Sequence, residues 1–242
     1  MTSMPLIIAE VGLNHLGDKN YALSYLDKLL KTKIDGISFQ VREENFYKRR
    51  KKLILEDDFY KILYKKVKKK NKLFGIAIAN EKKVDFFDGI KVDFFKIINR
   101  DLINKELVKK VYKSKVKNIF VSTGQSQIKD LKKHLSFLSE KDKKKLIFIH
   151  TKFSNSFKKI NLESILFIKE KLQVRVGFGN HSSDRNLFIM SLSYKPHSLF
   201  FYVKGLKKTL HPDHSHAIKV DETRNFVNYL KKIQLAIGEY KK

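Results

Sequence analysis

Short apolar runs of strand type alternate with stretches of helical spacing about eight times along this chain, a rhythm that few folds accept. The strands are expected at the run that opens Leu6-Ile7-Ile8, then at Ile37–Val41, Leu73–Ala79, Phe94–Ile98, Ile119–Thr123, Leu146–Thr151, Val174–Phe178 and Leu199–Val203. Between them, helical spacing falls at Tyr21–Lys31, Asp57–Lys70, Glu81–Phe87, Asp101–Tyr112, Gln127–Leu138, Leu162–Lys171 and Asp184–Ser193, and Glu222–Ile237 closes the chain. Phe59, Ile62, Leu63 and Val67 are the expected inward face of the second helix, and Asp101 is the expected N-cap of the fourth. Eight strand–helix units in 242 residues define a (β/α)8 TIM barrel, and no linker rich in Pro, Gly or Ser divides it, so residues 1–242 read as one domain.

The first strand carries a carboxylate, Glu10, inside an otherwise apolar run that ends in Gly12-Leu13-Asn14-His15-Leu16-Gly17. Strands buried on both faces read as continuous hydrophobics, and an ionised Glu among them is costly without a partner or a task. At the C-terminal end of a barrel strand that task is ligand binding or catalysis. Alternate residues share a face, so Glu10 pointing inward names its companions: Ser38 and Gln40, Lys96 and Ile98, His150 and Lys152, Gly179 and His181, Tyr202 and Lys204. A mouth lined by Glu10, Lys96, His150, Lys152, His181 and Lys204 suits an anionic small molecule.

The formal charge of +27 raises the question of nucleic acid or an anionic membrane surface. The lysines are spread through nearly every segment, with dense runs at 48–52, 65–72 and 141–145, as expected of solvated faces and of the AT-rich codons for Lys, Ile, Phe and Asn. No nucleic-acid motif accompanies them, so no specific nucleic-acid partner is expected. The absence of cysteine excludes disulfides, thiolate metal sites and a Cys nucleophile. No run approaches the roughly 18 apolar residues of a membrane span, and no signal peptide is evident, so a cytoplasmic location is expected.

The opening stretch resembles the IAE-[IV]-G-x-NHNG motif of the sialic acid synthase family, with Leu16 in place of the second Asn. The resemblance continues through Ser38-Phe39-Gln40 (K-F-Q), Val92 to Asn104 (V-D-F-x-K-I-x-S-x-D-L-x-N), Ser122-Thr123-Gly124, His150-Thr151-Lys152-Phe153, Gly177 to His181 (G-[YL]-S-D-H) and His211-Pro212-Asp213-His214 (G-P-D-H). It implies condensation of phosphoenolpyruvate with an N-acetylated amino sugar, of N-acetylmannosamine type, to a nine-carbon α-keto acid. It also implies a divalent metal, manganese or magnesium, held by two histidines. By the same resemblance Glu10 and Asp213 serve the sugar, Lys96 and Ser122 serve phosphoenolpyruvate, and His181 is a metal ligand. Asn14, His15, Gln40 and His150 match its motifs as candidate substrate-binding residues.

The departures cluster at the same places. Ser38 stands where the family has its first phosphate-binding lysine, Asn99 and Gly179 replace serines, and Lys204 aligns with the second metal histidine. An ammonium cannot ligate while protonated, so weak metal binding or none is expected. Lys204 becomes a candidate catalytic group, either replacing the metal's charge or forming a Schiff base with a keto acid. The family's antifreeze-like C-terminal domain has no counterpart before Lys242, which leaves a homodimer or a separate lid protein as expected partners. The alternative to an active synthase is a catalytically degenerate barrel that partners or regulates one.

Overall fold

The computed structural model describes residues 4–238, so the outermost ends of the 1–242 domain expected from the sequence lie outside the described residues. Every strand-type run forms a strand. In chain order the elements are β1 (Leu6–Gly12), α1 (Lys19–Leu29), β2 (Gly36–Val41), α2 (Glu44–Arg49), α3 (Asp57–Lys68), β3 (Leu73–Ile78), α4 (Val84–Gly89), β4 (Phe94–Ile97) and α5 (Lys105–Lys113). There follow β5 (Asn118–Ser122), α6 (Ile128–Leu135), α7 (Glu140–Lys143), β6 (Leu146–His150), α8 (Phe157–Ile160), α9 (Ser164–Leu172), β7 (Arg175–Gly179), α10 (Asn186–Leu192), β8 (Ser198–Lys204), β9 (Ile218–Lys219) and α11 (Thr223–Ile237). Each of β1 to β8 pairs in parallel with the next, and β1 pairs with β8 from Leu6↔Ser198 to Glu10↔Tyr202. That last pairing closes the (β/α)8 barrel.

Two apolar populations hold it together. The outward residues of the strands, such as Ile37, Phe39, Phe148 and Phe178, pack against the helices in one continuous core. The inward residues Ile8, Phe94, Phe120, Ile147, Ile149 and Phe200 form a separate cluster that fills the lumen. Three of its rings meet edge to face, Phe120 and Phe200 at 4.8 Å between centroids and Phe94 and Phe120 at 5.2 Å, a geometry aromatic quadrupoles favour. Gly75 makes room for them, since a β-carbon there would lie 2.0 Å from the Phe94 ring. The lumen is therefore a dry aromatic plug on which the C-terminal mouth is built.

Two local expectations need correction. Ile62 is 53% exposed while Tyr60 is buried, because the inward stripe of α3 runs through Phe59, Tyr60, Leu63 and Val67. The fourth expected helix starts at Lys105, capped by the Asn104 side chain accepting from the Leu107 N–H, while Asp101 belongs to a preceding 3-10 turn. Among the described residues, no helix is long and apolar enough to cross a membrane.

Candidate active site at the barrel mouth

Glu10 lies on the lumen side of β1, just above the aromatic plug. The parallel register with β2 is interrupted between Glu10 and Gly12, and Gly12 takes a positive φ of 56° that a side chain would strain. The same glycine lies against the Tyr202 ring and the Asp213 carboxylate, which a β-carbon would approach at 3.3 and 3.4 Å. The bulge thus ends β1 and lets the last loop close over it.

Lys96 of β4 crosses the lumen to Glu10, its Nζ donating to both carboxylate oxygens at 2.6 Å. Both residues are only 2% exposed. The ammonium also sits over the rings of Phe200 at 5.1 Å and Tyr202 at 5.5 Å, and the Ser38 hydroxyl donates to Glu10 Oε1 at 3.4 Å. A buried pair of this kind tolerates loss of one partner poorly, because the other is left charged in a dry setting.

The loop after β8 brings the next group. α1 holds it down: the Gly205 N–H donates to the Tyr25 hydroxyl at 2.5 Å, the Lys207 N–H donates to the Tyr21 hydroxyl at 3.2 Å, and that hydroxyl meets His211 Nε2 at 2.8 Å. Asn14 completes the brace, donating from Nδ2 to the Val203 carbonyl at 2.8 Å and accepting at Oδ1 from the Asp213 N–H at 3.1 Å. Asp213 is thereby fixed over the mouth. Burial, then the nearby negative charge of Glu10, push its carboxyl up to about 7, with Lys96 opposing.

His181, two residues beyond β7, has its ring 5.3 Å from Tyr202 and 4.1 Å from Phe153. Its Nδ1 is buried without a hydrogen-bond partner. Desolvation, then His216 and Lys96, hold it well below the ordinary imidazole range. Lys204 points its Nζ to the His214 carbonyl at 2.6 Å. Burial and the neighbouring Lys219 and Arg185 lower its pKa. Ser122 ends β5 on the lumen face, and Gln40, one residue before the end of β2, stands at the rim. Gln40 and Asp213 line a cleft of about 920 Å³ whose other wall carries Arg42, Lys48, Arg50 and Lys52. A larger cleft of about 1100 Å³ shares Arg42, Lys48 and Lys51 but runs out between α2 and α3 without reaching Gln40 or Asp213, so the smaller one is the cleft that borders the mouth.

Four candidates lie apart from this constellation. His150 follows the parity of Phe148 and faces the helices, its Nε2 on the Ile160 carbonyl at 2.7 Å and its ring stacked on Phe178. The placement of His150 and Lys152 in the mouth is therefore corrected. Ile149 and Thr151 occupy the lumen side of β6 instead. Asn14 and His15 are fully buried: Asn14 positions Asp213, and His15 Nδ1 accepts from the Gly17 N–H at 2.9 Å in the turn. Asn99, in place of the serine, donates to the Thr123 carbonyl at 2.6 Å and meets Ser126 Oγ at 2.7 Å, bracing the turn around Gly124.

Sequence reasoning missed His216. It lies in the loop after β8 with its ring 4.6 Å from His181 and 5.0 Å from Tyr202. Its Nε2 is buried without a hydrogen-bond partner, 3.8 Å from Asp213 Oδ1. Among the described residues no three His, Cys, Asp or Glu side chains converge as a metal cage. The unpartnered His181 Nδ1 and His216 Nε2 are nevertheless the kind of donor a cation takes up.

A closed parallel barrel carries a carboxylate, a lysine, a second carboxylate and histidines at its C-terminal mouth, the end at which barrels of this kind place their active sites. The chain belongs to the NeuB family, whose model matches residues 24–242. It is 23% identical to N,N'-diacetyllegionaminic acid synthase of Campylobacter jejuni over 97% of this chain and 78% of that protein. It is also 23% identical to pseudaminic acid synthase of the same organism, over 97% of this chain and 75% of that protein. The solved structure of N-acetylneuraminic acid (sialic acid) synthetase from Leptospira borgpetersenii superimposes with a TM-score of 0.89 at 23% identity, covering 99% of this chain and 87% of that one.

Proposed function

We propose that this chain is a sugar-acid synthase of carbohydrate biosynthesis. In that reading it condenses phosphoenolpyruvate with an N-acetylated amino sugar of N-acetylmannosamine type, giving a nine-carbon α-keto acid. The observation that carries the reading is the convergence of Glu10, Lys96, Asp213 and His181 on one mouth in a NeuB-family barrel. The new carbon–carbon bond joins C3 of phosphoenolpyruvate to the sugar's aldehyde carbon. Water adds at C2, and inorganic phosphate leaves.

Lys96 is the cation that meets the anionic substrate, exchanging the Glu10 carboxylate for it. Glu10, released, turns to the sugar's hydroxyls. Asp213, with a carboxyl that titrates at about 7, can hold or give up a proton at neutral pH, the range a general acid or base requires. Tyr202 and the aromatic plug beneath keep water from the pair, which strengthens each charge interaction. The arginines and lysines of the cleft beside Asp213 draw anions towards it. A divalent metal, when bound beside His181, supplies polarisation of the aldehyde carbonyl and an activated water.

One observation favours a second reading, a barrel that no longer turns over. Lys96 is neutralised by Glu10, and the family's other phosphate lysine is Ser38. Phosphate release from phosphoenolpyruvate with N-acetylmannosamine, with and without manganese, separates the two. Sugar-dependent release by the wild type, lost in Glu10→Gln, is the expected result. A folded wild-type protein that releases no phosphate with any N-acetylated amino sugar would sink the synthase reading and leave the degenerate one.

A further inference from the structure

The last strand lacks the histidine that would face His181, and the structure supplies an imidazole from another place. β9 is only two residues long, yet it pairs with the end of β8, Val203↔Ile218 and Lys204↔Lys219. That pairing folds the loop back on the barrel and hangs His216, two residues before Ile218, against Tyr202 at 5.0 Å. The His216 ring then meets His181 at 4.6 Å between centroids, inclined at 58°. Two imidazoles sharing one cation through bonds of ~2.0–2.1 Å lie at about this spacing.

Each ring carries a buried nitrogen with nothing to bond, His181 Nδ1 and His216 Nε2. His15, His197 and His211 also carry buried unpartnered nitrogens, so what distinguishes His181 and His216 is that their rings lie side by side, 4.6 Å apart. Asp213 Oδ1 stands 3.8 Å from His216 Nε2, too far for a hydrogen bond. The ammonium of Lys204 bonds the His214 carbonyl and that of Lys96 is paired with Glu10; both still act on the His216 ring, and the Glu10 carboxylate offsets the Lys96 charge.

We infer that His181 and His216 form a binding site for a first-row divalent cation, in which His216 takes the place of the missing strand histidine. The set is open on one side, since no third His, Cys, Asp or Glu closes a cage among the described residues. Water or substrate oxygens complete the coordination, as in catalytic rather than structural sites. Two imidazoles completed by water or substrate oxygens suit zinc or manganese. The inference deepens the synthase reading and rests on it for its role, but not for its test.

The test is manganese binding to the whole protein, measured by loss of the free-ion electron paramagnetic resonance signal. One saturable site per chain is expected, with at least tenfold weaker binding in His181→Ala and in His216→Asn. Binding should be unchanged in His214→Ala, which removes an exposed imidazole two residues away. Electron spin-echo modulation from two coordinated imidazole nitrogens in the wild type tests the same set without any variant, should one of them fail to fold. No saturable binding up to millimolar manganese, a single coordinated nitrogen, or equal weakening in His214→Ala overturns the site. Phosphate release is read separately. Binding without turnover would leave the cation site standing and sink the synthase, whereas turnover without binding would do the reverse.

Discussion

Glu10 and Lys96 form the contact on which the mouth depends. The two are buried and joined by two 2.6 Å hydrogen bonds, so removing either partner strands a charge. Glu10→Gln or Lys96→Met should each lose about 3–5 kcal/mol of unfolding free energy. The double variant should lose much less than the sum, a coupling that urea melts measure directly; additive losses would mean the pair is not formed in solution. Burial also draws the imidazoles of His15 and His134 down to about 4. A group depressed below its unfolded value gives stability that is complete above about 6.5 and lost as pH falls through about 4, here on the order of 3 kcal/mol for each ring. Asp213, raised to about 7, acts in the opposite sense, giving stability complete below about 4 and lost as pH rises through 7. Wild-type melts should therefore weaken from pH 6.5 to pH 4, and Asp213→Asn should steepen that fall. A profile flat from pH 7 to pH 4 would contradict it.

At the scale of elements, the strands were legible because apolar runs and helical stripes alternate with clear breaks. The phase of a strand was legible only where something polar marked it. Glu10 and Lys96 mark β1 and β4. β6 reads Leu-Ile-Phe-Ile-His with both faces buried, so no alternation fixes its phase, and parity alone puts His150 on the wrong side. His216 was invisible for a different reason: its position follows from the β8–β9 pairing and from the hold of α1 on the loop, neither of which leaves a local pattern. That hold is itself testable. Asn14→Ala removes the bonds to Val203 and to the Asp213 N–H, and should cost about 1–3 kcal/mol. It should also speed hydrogen exchange across residues 205–217 while leaving β3 to β6 protected. Uniform protection after the substitution would show that Tyr21 and Tyr25 suffice.

For the whole molecule, the excess of lysine is a field as well as a solvated surface. A formal charge of +27 in 242 residues repels itself, and many of its ion pairs, such as Lys19–Glu56 and Lys82–Glu44, are exposed and individually weak. Raising salt from about 20 mM to about 300 mM should therefore raise the melting temperature, because screening relieves the repulsion more than it weakens exposed pairs. A falling melting temperature would mean that the exposed pairs dominate.

The bond from Asn14 to Val203 joins residues 189 positions apart, and β1 finds its second neighbour only in β8. On a ribosome adding ~5–20 residues per second, the first strand therefore waits roughly 10–40 s for its last partner. Throughout that interval one edge of β1 is open, and the brace that sets Asp213 does not exist. A nascent chain halted before β8 would already hold Glu10, Lys96 and His181, and would lack the Asp213 carboxylate and the His216 imidazole that complete the mouth.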